Sequence, residues 1–373
     1  MTGDTGDSAF QDEMRMLRDS VRLLLERAGG LKRVRQARDL PEGWHKAVMR
    51  ELAGAGVLGV AAPENIGGLG MGLSAAGAIA EEIGRMAAPE PVGPTLGLAI
   101  GLLERLCPGS DLLPAVIGGD ATVAVAWQER GANGAPGGID CRFDGRALTG
   151  GKAWVMGAGG ADALLVVAQG PDGPVLLHLA PEAAGVTLTP RRQSDGSSQH
   201  DIAFAATPAG ILAQGPAVTA ALEDAVAVTT ALAAAELVGV SARALELTLD
   251  YLGTREQFGQ PIGAFQAIQH RAVDIYTMQQ VAEATLREVL ARMGSATPQE
   301  RARLASRAKA RACTAAQKIT REAIQMHGAV GYTDEFDISL LLNRALVLSA
   351  WLGGAAFHRR RWLDATESME AAQ

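Results

Sequence analysis

The sequence predicts an α+β protein with an N-terminal helical domain, a middle antiparallel β-sandwich or barrel, and a C-terminal four-helix bundle. Helical periodicity fills residues 1–118 and returns over residues 211–373, whereas residues 119–210 contain short β-prone runs split by glycine and proline. A chain of 373 residues is long enough for two or three domains with cores of their own. We therefore expect domain boundaries near residues 118 and 210.

The N-terminal helices are predicted from two apolar patterns. The run "DEMRMLRDSVRLLLERAG" has apolar residues at helical spacing and ends at Gly29 and Gly30, as helix C-termini often do. The run "AAGAIAEEIGRMAA" predicts a second helix after the loop "AAPENIGGLGMGLS". The opening residues "MTGDTGDS" are polar and acidic, so we do not expect a signal peptide.

The middle domain is predicted from runs such as "ATVAVAWQE", "ADALLVVAQG" and "GPVLLHLA". Each run is rich in β-branched and small apolar residues and is bounded by glycine or proline. Their regular spacing is typical of a small antiparallel sandwich or barrel.

The C-terminal helices are long, and the boundaries of one are clear. Thr297 offers an N-cap hydroxyl, Pro298 suits the first helical position, and Glu300 stands at the third. Gly328 is the expected stop. The apolar run 225–242 is long enough for a membrane span, but it is dominated by alanine and includes charged Glu236. We interpret it as a buried core helix and expect no membrane association.

Charge and cysteine content narrow the functional classes. The formal net charge is −7 and basic residues form no stripe, so nucleic acid is not an expected partner. Cys107, Cys141 and Cys313 are few, odd in number and far apart. This pattern disfavours a disulfide framework or a metal site and fits a reducing cytoplasm.

A polar, aromatic turn interrupts the C-terminal helices at residues 253–274, "GTREQFGQPIGAFQAIQHRAVD". Arg255 and Gln257 supply donors suited to phosphate or adenine, and Phe258 offers a flat face. The alternative is a helix hairpin with a salt-bridged arginine. The residues alone leave both interpretations open.

This turn resembles the R-x-Q-F-G-x-x-I-x-x-F-Q segment of the acyl-CoA dehydrogenase family. Three further stretches resemble other segments of that family in the same order: "GVLGVAAPENIGGLGMG", "GGKAWVMGAGGADALLVVA" and "AIQMHGAVGYTDEF". The resemblance covers nearly the whole chain. It implies α,β-dehydrogenation of an acyl-CoA or acyl-carrier thioester, one FAD per subunit, a homo- or heterotetramer, and electron-transfer flavoprotein as the electron acceptor.

The resemblance also assigns residues to the FAD site. It implies that the FAD of the adjacent subunit is contacted by Arg255, Gln257 and Phe258. It implies that the adenine-side groove is lined by Gln325 and Gly328, and that Trp154 and Met156 lie at the flavin ring. Met156 replaces the usual threonine and so lacks its hydroxyl donor. The family's T-E-P-x-x-G-S-D segment corresponds to "AWQERGANGAPGG", which keeps Glu129 but lacks the serine.

The residue that removes the substrate α proton is missing from its usual place. The family's Y-E-G-T segment corresponds to "SAWLGGAAFHRRR", where Leu352 stands in place of the glutamate. Some members carry the base 26 residues before the arginine of the turn, and that position is Thr229 here. Neither side chain accepts a proton. The same tail resembles a subset of the family that acts on bulky acyl-CoAs such as steroid side chains, often as heterotetramers of two family members.

Glu236 is the remaining candidate for the base. It is a lone carboxylate in an apolar helix, where burying an unpaired charge is expensive. The alternatives are a salt bridge to Arg243 or a packing role. His358, in the same tail as Leu352, is expected at the surface of a basic last helix.

Three functions remain open from the sequence. The first is an FAD-dependent acyl-CoA dehydrogenase with Glu236 as its base. The second is a non-catalytic or half-site subunit of a heteromeric acyl-CoA dehydrogenase. The third is a flavoprotein of this fold with different chemistry, because fold alone does not set function.

Overall fold

The computed structural model describes residues 4–131 and 136–371, and it confirms the fold class of N-terminal helices, a middle β-sheet region and C-terminal helices. The chain separates into two compact units. The helical unit comprises Met1–Leu31, Gly77–Ala88 and Thr230–Gln373, and the sheet unit comprises Lys32–Ala76 and Pro89–Thr229.

One long helix, α1, and several shorter ones make up the N-terminal region. They are α1 Asp4–Arg27, α2 Gly30–Ala37, α3 Lys46–Gly54, α4 Gly72–Arg85, α5 Val92–Pro94, α6 Gly101–Leu106 and α7 Leu112–Gly118. A π-helical segment, Thr95–Ile100, joins α5 to α6 and is buried throughout.

A single sheet holds most of the strands. They are β1 Val123–Ala126, β2 Arg142–Phe143, β3 Ala147–Met156, β4 Ala163–Gly170, β5 Gly173–Leu179, β6 Val186–Arg192, β7 Ser198–Pro208 and β8 Gly210–Gln214. Their order is β6-β7-β3-β2-β4-β5-β8, with β1 also paired to β4. The expectation of antiparallel pairing was wrong for two pairs, because β1 and β2 each run parallel to β4.

Long helices make up the C-terminal region, with a small hairpin between the first two. They are α8 Pro216–Thr254, hairpin strands β9 Glu256–Gln257 and β10 Gln260–Pro261, then α9 Gln266–Met293, α10 Pro298–His327, α11 Asp337–Ala350 and α12 Ala355–Ala371. The predicted start of α10 is confirmed, because the Thr297 hydroxyl accepts a hydrogen bond from the Glu300 backbone N–H at 3.3 Å. α10 packs against α9, α11 and α12 and so forms the centre of this group.

Glycines let two helices of the helical unit approach closely. A Cβ at Gly84 of α4 would lie 2.0 Å from the carbonyl oxygen of Glu236, and one at Gly239 of α8 would lie 1.9 Å from that of Glu81. Any side chain at either glycine would therefore force α4 and α8 apart. The contact places the backbone of Glu236 directly against α4.

Two helical stretches are long and apolar enough to cross a membrane by length and composition, Pro216–Thr254 and Asp337–Glu367. Their most apolar windows are 89% and 50% buried within the protein. Core packing therefore accounts for the apolar run in α8, as the sequence predicted.

Candidate functional site

Leu352, the residue that the resemblance aligns with the usual base, lies in the turn after α11. α11 ends at Ala350, Trp351 is extended, and Leu352 adopts a left-handed conformation with φ +62°. Its side chain is 2% exposed. A bulky residue in this region of φ/ψ space is strained, so neighbouring groups must hold the turn.

Lys309 of α10 stabilises this turn through hydrogen bonds to its backbone. Its ammonium is fully buried and donates hydrogen bonds to the carbonyl oxygens of Leu348 at 2.6 Å and Trp351 at 2.8 Å. These carbonyls belong to the end of α11, where the helix leaves its last acceptors unpaired and partly negative. Burial lowers the pKa of Lys309.

His358 of α12 also stabilises this turn, through a hydrogen bond to the Leu352 backbone. Its Nε2 lies 3.0 Å from the Leu352 carbonyl oxygen and its Nδ1 lies 3.2 Å from Ser306 Oγ. Because a carbonyl only accepts, Nε2 carries the hydrogen and Nδ1 accepts from the serine. Burial, reinforced by the nearby Lys309 charge, lowers the pKa of His358 to about 3. The expectation of a surface histidine was wrong, since His358 is 0% exposed.

Glu236 lies inside the helical unit as half of a buried ion pair. Its Oε2 accepts a hydrogen bond from Arg344 Nη2 of α11 at 2.9 Å, and both side chains are almost fully buried. The suggested partner Arg243 was wrong, because Arg243 instead pairs with Glu246 at 3.3 Å. The ion pair gives a structural reason for a carboxylate in this apolar helix. Whether Glu236 also acts as a base stays a prediction.

Thr229, the second position considered for a base, is fully buried in the sheet unit. Its hydroxyl donates to the Ala225 carbonyl oxygen at 2.7 Å, one turn back along α8. Gly97 of the π-helical segment packs against it, since a Cβ there would lie 2.2 Å from Thr229 Oγ1. The threonine therefore faces packed helix.

The sequence-predicted nucleotide residues Arg255, Gln257 and Phe258 lie together on the β9–β10 hairpin and are exposed. Phe258 and Gly259 form its tip with φ values of +54° and +80°, as a tight hairpin turn requires. Phe258 is 93% exposed. Within the described residues no carboxylate pairs with Arg255. The Gln257 side-chain amide donates to the Glu256 carbonyl oxygen at 2.8 Å.

Gln325 and Gly328 lie at the C-terminal end of α10, and both are exposed. Gly328 has φ +68° and open space around its α carbon. Tyr251, near the root of the β9–β10 hairpin, stacks on His327 with ring centroids 4.4 Å apart. This contact brings the end of α8 and the end of α10 to one end of the helical unit.

Trp154 and Met156 lie on β3 in the sheet unit. The register of β3 shifts between Lys152 and Val155, and Trp154 within this irregularity has φ +55°. An irregular strand re-aims the side chain at that point. Trp154 is 37% exposed and Met156 is partly buried.

Glu129 anchors the loop that leads into β2. It accepts from Lys152 Nζ at 2.5 Å and from the backbone N–H groups of Asp140 at 2.7 Å and Cys141 at 3.0 Å. These donors fix both ends of the loop and lower the pKa of Glu129 against the opposing effect of burial. Residues 132–135 of the segment that lacks the family's serine lie outside the described residues.

Residues 4–131 and 136–371 contain no candidate metal site. No group of three or more His, Cys, Asp and Glu side chains is positioned to bind a metal there. The three cysteines are free thiols.

Sequence reasoning missed Lys309 and Arg344, although both leave a trace in the helical pattern. Lys309 stands on the same stripe of α10 as buried Ala305 and Ala312, and Arg344 stands among the buried leucines of α11. A charge on an apolar stripe indicates a buried charge with a partner. The partner itself lies too far along the chain for periodicity to identify.

Comparisons with known proteins agree with the fold. Residues 11–106 match the family described as acyl-CoA dehydrogenase, N-terminal domain, and residues 219–365 match acyl-CoA dehydrogenase, C-terminal domain. The chain is 30% identical to acyl-CoA dehydrogenase IpdE2 of Mycolicibacterium smegmatis over 363 residues, which cover 94% of this chain and 98% of the relative.

Two solved structures are also similar. A single-residue variant of the Tcur3481-Tcur3483 steroid ACAD is 33% identical with a TM-score of 0.87, covering 97% of this chain and 99% of that one. The ChsE4-ChsE5 complex from Mycobacterium tuberculosis is 26% identical with a TM-score of 0.83, covering 93% and 95%.

Proposed function

Because the chain belongs to the acyl-CoA dehydrogenase family, we propose that it is the subunit without a base in a heteromeric, flavin-dependent acyl-CoA dehydrogenase. A second family member would carry the base. The observation that supports this most strongly is Leu352, which lies buried in a firmly held turn and which the sequence resemblance aligns with the usual glutamate.

Removal of an α proton requires a base within hydrogen-bond reach of it. Leu352 has no proton-accepting group, and the Thr229 hydroxyl already donates to Ala225. Glu236 is 2% exposed and accepts a hydrogen bond from Arg344, so its carboxylate is committed to another group. On this proposal none of these three positions supplies the base.

The cofactor residues support retention of FAD at a site shared with the partner. Arg255 is exposed without a carboxylate partner in the described chain, and its planar guanidinium suits a diphosphate. Phe258 and Trp154 are exposed aromatic side chains, and Gln257 and Gln325 offer amides. FAD, when bound, supplies the hydride acceptor. The residues of this chain would position it and would exclude water from the ring.

The substrate class follows from the relatives. One of the similar structures is a steroid ACAD and another is a complex of two different chains. We therefore propose a thioester with a bulky, steroid-like acyl group and a second family member as partner. Electron-transfer flavoprotein as acceptor, a tetrameric assembly and a cytoplasmic location remain predictions.

The test is the visible spectrum of the chain, purified alone and after co-expression with a candidate second family member. Each sample is then titrated anaerobically with a panel of acyl-CoA thioesters. We expect flavin to bleach with a bulky acyl-CoA only in the co-purified complex. Bleaching by the chain alone would contradict the proposal.

Variants separate the remaining alternatives. If the chain alone reduces its flavin, loss of bleaching in a Glu236→Gln variant that stays folded and keeps its flavin, with retention in Glu246→Gln, would identify Glu236 as the base. Glu246 is the matched control, because it is a carboxylate on the same helix that pairs with Arg85. Bound flavin that no thioester reduces, in either sample, would favour different chemistry on this fold.

A further inference from the structure

A cavity of about 500 Å³ lies among α9, α10 and α12 within the helical unit, lined in part by Arg307, Arg311, Arg359 and Trp362. None of these residues belongs to the nucleotide hairpin or to the Leu352 turn. The volume falls within the range of small-molecule sites.

The cavity carries more positive charge than its surroundings neutralise. Arg307 makes a bidentate pair with Glu288, at 3.0 and 2.7 Å. Arg359 donates to the Thr314 hydroxyl at 2.9 Å. Among the described side chains no carboxylate pairs with Arg311 or Arg359. Arg307 and Arg311 are also four residues apart on α10, a spacing at which like charges repel.

Trp362 adds an apolar wall and an unused donor. Its indole Nε1 is buried and has no hydrogen-bond acceptor within the described residues. Buried donors are nearly always paired, so this group leaves room for an acceptor from outside the chain. Ala310 and Leu363 extend the apolar lining.

We propose that this cavity binds a small amphipathic anion, an apolar body bearing a carboxylate or phosphate. The anionic group pairs with Arg311 and Arg359, as guanidinium groups pair with carboxylate and phosphate. The apolar body packs on Trp362 and Leu363. An anion at this position also relieves the repulsion between Arg307 and Arg311.

The experiment is isothermal titration calorimetry of the full chain with three probes: octanoate, inorganic phosphate and octylammonium. We expect saturable binding of octanoate, weaker binding of phosphate, and none of octylammonium. Octanoate affinity should fall at least about tenfold in Arg311→Gln/Arg359→Gln, because two charge-assisted hydrogen bonds are lost. It should also fall in Trp362→Phe, which keeps an aromatic side chain but removes the indole N–H.

Arg321→Gln is the matched control, an exposed arginine on the same helix outside the cavity. Octanoate binding that survives in the double arginine variant lies elsewhere and overturns the proposal, as does equal binding of octylammonium. If phosphate bound as tightly as octanoate, the proposed contribution of the ligand's apolar body would be refuted. Flotation with anionic phosphatidylglycerol vesicles then distinguishes a lipid headgroup from a free amphiphile. Vesicle binding lost in the double variant assigns the headgroup as the ligand, and no vesicle binding assigns the free molecule.

Discussion

Removal of Glu236 and removal of Arg344 from their buried ion pair should destabilise the protein by different amounts. Lys309 is fully buried and close enough for the Glu236 charge to raise its pKa. Glu236→Gln therefore leaves two buried cations without their shared carboxylate, whereas Arg344→Met leaves Glu236 with one cation still nearby. We expect Glu236→Gln to lower the free energy of unfolding by about 3–5 kcal/mol and Arg344→Met to cost at least about 1 kcal/mol less.

The assay is urea unfolding followed by far-UV circular dichroism at one fixed protein concentration, because assembly makes stability depend on concentration. A third variant, Glu236→Leu/Arg344→Met, removes both charges and should lie within about 1–2 kcal/mol of the native protein. Glu246→Gln serves as the control for loss of a more exposed carboxylate on α8. Its side chain is 44% exposed, so we expect a small effect.

Two results would refute this reasoning. Native stability in Glu236→Gln would mean that the ion pair contributes little, and loss of flavin reduction in that stable variant would favour the catalytic role. A larger loss of unfolding free energy in Arg344→Met than in Glu236→Gln would mean that Lys309 does not share the Glu236 carboxylate.

Three further predictions test packing and titration. Gly97→Ala should destabilise by about 1–3 kcal/mol because its methyl meets Thr229 Oγ1, whereas Gly101→Ala, with its nearest contact at 3.7 Å, should be tolerated in the same urea assay. The pKa of His358 is about 3 in the folded protein and about 6.5 in the unfolded chain, so its contribution to stability is full above pH 6.5 and falls on acidification. Between pH 7 and pH 5 the free energy of unfolding should therefore fall by about 2 kcal/mol more in the native protein than in His358→Gln. Burial raises the pKa of the Cys141 thiol to about 11, so iodoacetamide at pH 8 should leave it unmodified until urea is added, as read by mass spectrometry.

Periodicity and helix-end signals predicted the fold class because they are local. The start of α10 at Thr297 needs only the next three residues, and the alanine-rich run of α8 is explained by its own composition. Pairing in the sheet depends on distant segments, so the parallel pairing of β1 and β2 with β4 left no local signal.

The candidate site was predictable only in part, for the same reason. Arg255 and Phe258 were proposed as binding residues from their types, and the structure adds that they are exposed on the hairpin; their role stays a prediction. The partner of Glu236 lies 108 residues along the chain, and a neighbour on the same helix was the only partner that spacing offered. His358 reads as a surface residue beside three arginines, yet the carbonyl of Leu352 and the hydroxyl of Ser306 give both its ring nitrogens buried partners.

The turn at Leu352 supports a role in which backbone course matters more than side-chain chemistry. A leucine with φ +62° costs conformational energy that glycine would not. The chain meets that cost with Lys309, whose buried ammonium itself carries a desolvation penalty, and with neutral His358. Strain at a position without a reactive group serves no acid–base step in this chain. A turn that is held in place but has no reactive side chain agrees with the proposed subunit without a base.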